Sequence, residues 1–392
     1  FSALCRFGGS CTVECLCPWR DARPIMLSEY RIHVQERARL GIPPLPLRAD
    51  QARVVCDLLL NPPVEDKETL LALLRNRIPP GVDPAAEVKA AFLTEIAHGR
   101  KVSPLIDPQQ AVFLLGTMLG GYNVRPLVEL LAHETLGSKA AEALSRTLLV
   151  FDAFDEVAAL AHQGNENAKN VLQAWADATW FTERSPLPER IDVVAFKVAG
   201  EINTDDFSPA SHAFSRPDIP LHALSMGESR FPHGIEEIAK LRQQGKSIAF
   251  VGDVVGTGSS RKSACNSVLW HIGEDIPFVP NKRRGGLILG GQIAPIFFNT
   301  AQDSGALPIR CDVTSIENGD ALAVYPRQGK IENEAGKVLA AFTLSPETVA
   351  DEVRAGGRVP LIIGRSLTDR ARRALGLDKT TIFLQPAKPK DP

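Results

Sequence analysis

The chain has 392 residues, 44% hydrophobic and 23% charged, with a formal net charge of -2. At about 150 residues per domain, that length supports two or three domains with ample core. Near-neutral charge leaves no electrostatic footprint for nucleic acid or an anionic membrane. The longest apolar stretch, "LILGGQIAPIFF", is glycine-broken and short of the ~18 residues that span a membrane, so a soluble, cytoplasmic chain is expected.

Residues 1–25, "FSALCRFGGSCTVECLCPWRDARPI", show no periodicity and hold Cys5, Cys11, Cys15 and Cys17 of the seven cysteines. No pair has C-x-x-C spacing, which argues against a zinc ribbon or a thioredoxin-like site. Without the apolar core of a signal peptide, the segment reads as a non-native or disordered extension, with a small metal-binding arm as the alternative. Met26 opens a helix, "MLSEYRIHVQERARLG". Helices then follow one another to about 183: "ADQARVVCDLLL", "KETLLALLRNRI", "AAEVKAAFLTEIAHG", "QQAVFLLGTMLGG", "RPLVELLAHET", "KAAEALSRTLLVFDAFDEVAALAHQ" and "ENAKNVLQAWADATWF". Each carries apolar residues at three- and four-residue spacing. Asp83-Pro84 and Asp107-Pro108 set an N-cap acceptor before a proline at the first helical position, and Gln110 can complete a capping box. Short loops with no strand signal point to a helical bundle or array.

After the linker "RSPLPER" the pattern changes. Short β-branched strands are expected at "IDVVAFKVAG", "SIAFVGDVV", "GGLILGG", "ALPIRCDV", "ALAVYP" and "KVLAAFTL". Helices are expected at "GIEEIAKLRQQG", "SRKSACNSVLWHIG", "APIFFNTAQDSG" and "SPETVADEVRAGG", which makes this region α/β. The basic clusters Lys282-Arg283-Arg284 and Arg370 to Arg373 read as solvated edges.

The segment "GTGSSRKS", residues 256–263, joins the second of these strands to a helix. It nearly matches a P-loop and nearly matches G-x-G-x-x-G, and both motifs fail where Arg261 replaces a glycine. The geometry still favours an anion. A helix starting at Ser259 or Ser260 points free N–H groups at the turn, and a cation at that end opposes the helix dipole unless it is aimed at a bound carboxylate. Simple capping beside a solvated arginine is the alternative. A second loop, "VAGEINTDDFSPASHAFSRPDIP" (198–220), gathers Asp205, Asp206, Ser208 and Arg216 after a strand, as binding loops do. A turn held by Asx hydrogen bonds is the plainer reading of it.

The segments "GEINTDDFSPA", "SRPDIPLHAL", "GDVVGTGSSRKSACNSVLW", "NKRRGGLILGGQIAPIFFNT" and "DEVRAGGRVPLIIGR" together resemble the aconitase B family of bacterial aconitate hydratases and 2-methylisocitrate dehydratases. "NPPVEDKETLLALLRNRIPPGVD" and "LLGTMLGGYNVRPLVELL" are similar to that family's N-terminal HEAT-like domain. The resemblance runs from about 26 to 388, and only the loop at about 226–236 is shorter than usual. It implies an all-α HEAT-like array over 26–185, an aconitase-type α/β swivelling domain over 186–385 and a linker stub at 386–392.

In this family the swivelling domain closes over a [4Fe-4S] cluster, and a G-S-S-R turn supplies a serine base. Carried over, Ser259 removes the proton and contacts the substrate, Ser260 and Arg261 bind its carboxylate, Asp205 supports the serine and Arg216 binds carboxylate. The implied ligand is a tricarboxylate (citrate, isocitrate or 2-methylisocitrate) rather than a phosphate. No cysteine stands where the family's cluster ligands do, and the catalytic His and Asp residues belong to later domains. The resemblance therefore implies the N-terminal half of an aconitate hydratase, inactive without a cluster-bearing half and dimeric through its helical array. RNA binding has no support from the charge. The competing function is a non-catalytic interaction or regulatory module whose α/β domain senses a tricarboxylate.

Overall fold

The computed structural model describes residues 22–259 and 262–385. It forms two compact units, one ending at Pro44 and one beginning at Leu45. In the first, helix α1 (Ala22–Arg39) starts four residues before the expected Met26. It closes through Gly41 at φ +69, and Arg37 Nε donates to Pro43 O at 2.9 Å.

The second unit opens with helices α2 (Ala49–Leu58), α3 (Lys67–Asn76), α4 (Pro84–Ala97), α5 (Pro108–Gly116), α6 (Val124–Glu129), α7 (Gly137–Ser145), α8 (Ala153–His162), α9 (Glu166–Ala176) and α10 (Thr179–Thr182). The expected caps are present. Asp83 accepts from Ala85 N at 2.8 Å, and Asp107 and Gln110 exchange a full capping box. Leu59, Leu70, Leu74, Leu93, Leu115 and Trp175 are fully buried, each worth roughly 1.5–3 kcal/mol of apolar burial.

Two expected helices are broken. The stretch read as one helix from Lys139 to Gln163 is α7 and α8, separated where Phe151 takes φ +44. Leu149 there bridges to Gly120, and Val150 stays buried. An extended strap thus buries Val150 while leaving Phe151 exposed, and periodicity alone could not reveal it. Likewise α9 ends before Ala178, which is buried at φ +53 ahead of α10.

The α/β region contains strands β1 (Ile191–Asn203), β2 (Ile248–Thr257), β3 (Glu274–Asp275), β4 (Arg283–Arg284), β5 (Leu287–Ile293), β6 (Leu307–Arg310), β7 (Ala321–Tyr325), β8 (Lys330–Asn333) and β9 (Val338–Ala341). Its helices are α11 (Thr204–Phe207), α12 (Ile219–Ala223), α13 (Gly234–Gln243), α14 (Lys262–Ile272), α15 (Pro295–Asp303), α16 (Val349–Ala355) and α17 (Arg358–Ala374). Seven strands form a mixed sheet in the order β6-β5-β2-β1-β7-β8-β9. The first four run parallel and the last three antiparallel. Alternation divides the core. Val194, Phe196, Ile248, Phe250 and Ile288 face α14 and α15 on one side, while Val193, Ala195, Ala249, Val251 and Leu289 face the other.

The expected elements did not include β8 or α17. Helix α17 packs on the helical array: Trp180 Nε1 donates to Thr368 Oγ1 at 3.1 Å, and Arg372 donates to Ala176 O at 3.1 Å. Two of the expected solvated edges are therefore partly interior. Arg370 pairs with Asp155 at 3.0 Å and lies 4.2 Å over the Phe154 ring, and Arg283 lies 4.3 Å over Trp270. A guanidinium that stacks on an aromatic face keeps its charge while covering apolar surface.

His271, buried on α14, donates from Nε2 to Ala223 O at 2.8 Å. Burial lowers its pKa to about 4. The unfolded state, titrating near ~6.5, then binds the extra proton first, so this contribution to stability is full above that pH and is lost as pH falls toward about 4. His271→Gln keeps an N–H donor without the titration. It should remove roughly 2–3 kcal/mol of acid destabilisation between pH 7 and about 4.5 in urea melts. Asp351 and Glu352, whose pKa values burial raises, act in the opposite sense in both proteins and cancel in the comparison. Equal acid sensitivity of the two proteins would clear His271 of the effect.

Candidate functional site

The carboxyl ends of three adjacent parallel strands meet at one edge of the sheet, where Asn203 pairs with Thr257 and Val255 with Ile293. Open α/β sheets bind ligands at this edge. Each strand runs straight into a turn or helix there: β1 into α11, β2 into the glycine turn and β5 into α15.

The glycine turn is shaped by its neighbours. Gly256 sits at φ +78, and a Cβ on it would fall 2.3 Å from Phe297 Cγ. Gly258 sits at φ +90, with Thr204 Oγ1 3.3 Å from its Cβ position. Only glycine reaches this backbone without strain. Thr257 Oγ1 donates to Glu201 Oε1 at 2.6 Å, tying the turn to β1. Ser259 follows, exposed at the tip. Of the two expected helix starts, Ser259 is corrected: it is not helical, and the described part of α14 begins at Lys262. Ser260 and Arg261, two of the expected carboxylate binders, lie outside the described residues.

Asp205 lies in the single turn of α11. Asn203 Oδ1 caps that turn by accepting from Asp205 N at 2.8 Å and Asp206 N at 3.0 Å, and Asp206 returns a bond to Asn203 N. The Asx reading of this loop is thus present in full. Asp205 Oδ1 also accepts from Ala210 N at 3.2 Å.

Arg216 is half-buried in a separate cleft of about 330 Å³, whose lining includes Ser208, His222, Ser263 and Asn266. Ser259 lines a different, smaller recess. The two recesses flank α11, with Thr204 in one and Ser208 in the other.

His222, Ser263 and Thr204 were not singled out from sequence. Their roles come largely from contacts to residues 14 or more positions away, which no local spacing encodes. His222 Nδ1 lies 3.1 Å from Arg216 O, and its Nε2 lies 2.7 Å from Ser208 Oγ. Since a carbonyl only accepts, Nδ1 donates to Arg216 O. Ser208 Oγ is also 2.7 Å from Ser263 Oγ, on the first turn of α14. This chain of hydrogen bonds fastens the Arg216 loop to the helix behind the glycine turn.

The described residues do not fit an iron–sulfur cluster. Cys56, Cys265 and Cys311 lie on separate elements, and burial pushes each thiol up to about 12. Cluster ligation needs converging thiolates. Among the described residues no group of three or more His, Cys, Asp or Glu side chains is arranged to hold a metal. Cys5, Cys11, Cys15 and Cys17 lie outside those residues. Among the described residues no helix is long and apolar enough to cross a membrane.

Residues 193–392 match the family model described as the aconitate hydratase 2 N-terminus, and residues 29–181 match the aconitate B N-terminal domain. Aconitate hydratase B of Synechocystis sp. is 61% identical over 368 residues, covering 93% of this chain and 42% of its own length. The Escherichia coli enzyme of that name is 57% identical, covering 92% and 43%, and the Helicobacter pylori one is 50% identical, covering 93% and 43%. The chain thus spans under half the length of the curated relatives it matches.

Proposed function

The chain belongs to the aconitate hydratase 2 N-terminal family, and from that premise we propose that it supplies the serine base and part of the carboxylate-binding surface for dehydrating and rehydrating a tricarboxylate. The observation that carries this reading is the exposed Ser259 on the glycine turn, at the carboxyl ends of β1, β2 and β5. Citrate and isocitrate interconvert through cis-aconitate when a weakly acidic carbon gives up its proton to Ser259 and later regains it. A serine oxygen can do this only as an alkoxide held by oriented donors and positive charge, and Arg261, Ser260 and Arg216 stand in the sequence where the family keeps them. Asp205 supports the serine.

A [4Fe-4S] cluster of the kind this family uses would supply Lewis acidity toward the departing hydroxyl. The described residues do not fit that cluster, and this chain's share of the chemistry falls to its own side chains: proton transfer at Ser259 and carboxylate binding at the arginines. The same reading includes a HEAT-like helical scaffold over 26–185, a swivelling domain over 186–385, a cluster-bearing remainder as partner, a dimer through the helical array, and a cytoplasmic setting. 2-Methylisocitrate is a second substrate on this reading.

Arg216 provides the test. No described side chain pairs with its guanidinium, so a carboxylate entering the cleft gains a charged hydrogen-bond partner without breaking an existing ion pair. Arg216→Ala should weaken citrate binding by calorimetry about ten- to a hundredfold, the worth of one charged hydrogen bond. Citrate that binds both proteins equally would sink the assignment.

A further inference from the structure

Beside Ser259 lies a recess of about 170 Å³, walled by Gly256, Gly258 and the first residues of α15 and reaching Thr204. Its donors have nothing to donate to. Helix α15 starts with Ala294 as its N-cap and Pro295 at the first position, and no side chain caps it. The first backbone bond that closes its first turn is Phe298 N to Ala294 O, at 2.9 Å. The N–H groups of Ile296 and Phe297 therefore have no intrahelical acceptor, and an alanine cap cannot supply one.

Thr204 is an independent observation. The residue is 3% exposed, and its Oγ1 has no hydrogen-bond partner. A buried hydroxyl left unpaired costs about 1–3 kcal/mol, so a ligand that accepts from it recovers that cost. The hydroxyl faces Gly258 across 3.3 Å of the position a Cβ would take, next to the turn that presents Ser259.

We infer that this recess is a binding site for one carboxylate, held by the Thr204 hydroxyl and the Ile296 and Phe297 N–H groups. Three donors at the positive end of a helix suit the two oxygens of a carboxylate, and the dipole adds to the attraction. The lining of the recess shares no residue with the Arg216 cleft, so the two sites would grip different carboxylates of one ligand. This rests on the tricarboxylate reading above and adds a second anchor to it.

Thr204→Val removes the hydroxyl and keeps the shape, while Thr204→Ser keeps the hydroxyl. Thr204→Val should weaken citrate about tenfold by calorimetry, and Thr204→Ser should stay within about twofold of the parent. Thr204→Val should melt no lower than the parent, because an unpaired buried hydroxyl has been replaced by a methyl. In NMR spectra of the parent chain, citrate should shift the Ile296 and Phe297 amide resonances, and in Thr204→Val the same shifts should require about tenfold more citrate. If Thr204→Val binds citrate like the parent while Arg216→Ala does not, the recess is not a carboxylate site and the Arg216 reading stands. If citrate does not bind the parent, acetate decides. Acetate shifts at Ile296 and Phe297 that require more acetate in Thr204→Val keep the recess and overturn the tricarboxylate reading. Amides that acetate leaves unmoved overturn both.

Discussion

Ser259→Ala, measured with the cluster-bearing remainder of the family present, should lower kcat for isocitrate dehydration by about a thousandfold or more, the scale of a lost general base. KM should change by no more than about threefold, because a neutral hydroxyl adds little to ground-state binding. The reasoning starts from the backbone. Gly256 at φ +78 and Gly258 at φ +90 bend β2 sharply enough to lift Ser259 clear of the sheet edge into solvent. The alcohol itself is a poor base, and only fixed donors around it can stabilise the alkoxide. A variant with KM raised and kcat kept would make Ser259 a binding residue. One with both unchanged would remove it from the chemistry.

The features legible in sequence were those set by local backbone chemistry. The Asp107–Gln110 capping box needs only residues three apart, and it formed as read. The six expected strands appear because their apolar residues face core, in both clusters for β1, β2 and β5 and in one for β6, β7 and β9. The glycine turn was legible as the joint between a strand and a helix, since Gly256 and Gly258 take φ values that favour glycine.

What failed depended on distant partners. In α17 the buried stripe runs Leu361, Gly364, Leu367, Thr368, Ala371, and two of its five positions are not apolar. Gly364 is there because a Cβ would fall 2.2 Å from the Trp180 ring, and Thr368 because it accepts the Trp180 indole N–H. Neither reason is visible within the helix's own sequence. The arginines of that helix look like a solvated edge until Phe154 and Asp155, some 215 residues away, are placed beside Arg370. Thr204 belongs to the same class. Whether a buried hydroxyl has a partner is decided by everything around it and by nothing next to it in the chain. The split of the site into an Arg216 cleft and a Thr204 recess was hidden for that reason, even though Arg216 and Asp205 could both be named from the loop.

Gly256→Ala should be strongly damaging, and it falls directly beside the candidate site. The new Cβ would sit 2.3 Å from Cγ and 2.4 Å from Cβ of Phe297. Phe297 cannot retreat easily, because it is buried and stacked on Phe207 at 5.4 Å, and Phe207 meets Phe250 edge-on at 5.2 Å. An L-residue at φ +78 adds about 1–2 kcal/mol of backbone strain, and overpacking a well-filled core adds about 1–3 kcal/mol. Together these predict a melting temperature lower by roughly 5–10 °C in calorimetry. If the turn relaxes instead, the strain must go into the segment carrying Ser259, so citrate affinity should fall in Gly256→Ala at temperatures where it is still folded. A variant that melts within about 1 °C of the parent and binds citrate equally well would show that the turn is looser than its packing implies. Gly41→Ala separates the backbone cost from the clash, since Gly41 has φ +69 with nothing within 4 Å of its Cβ position. It should lose only the strain, leaving the larger share of the Gly256 effect to the Phe297 ring beneath the turn.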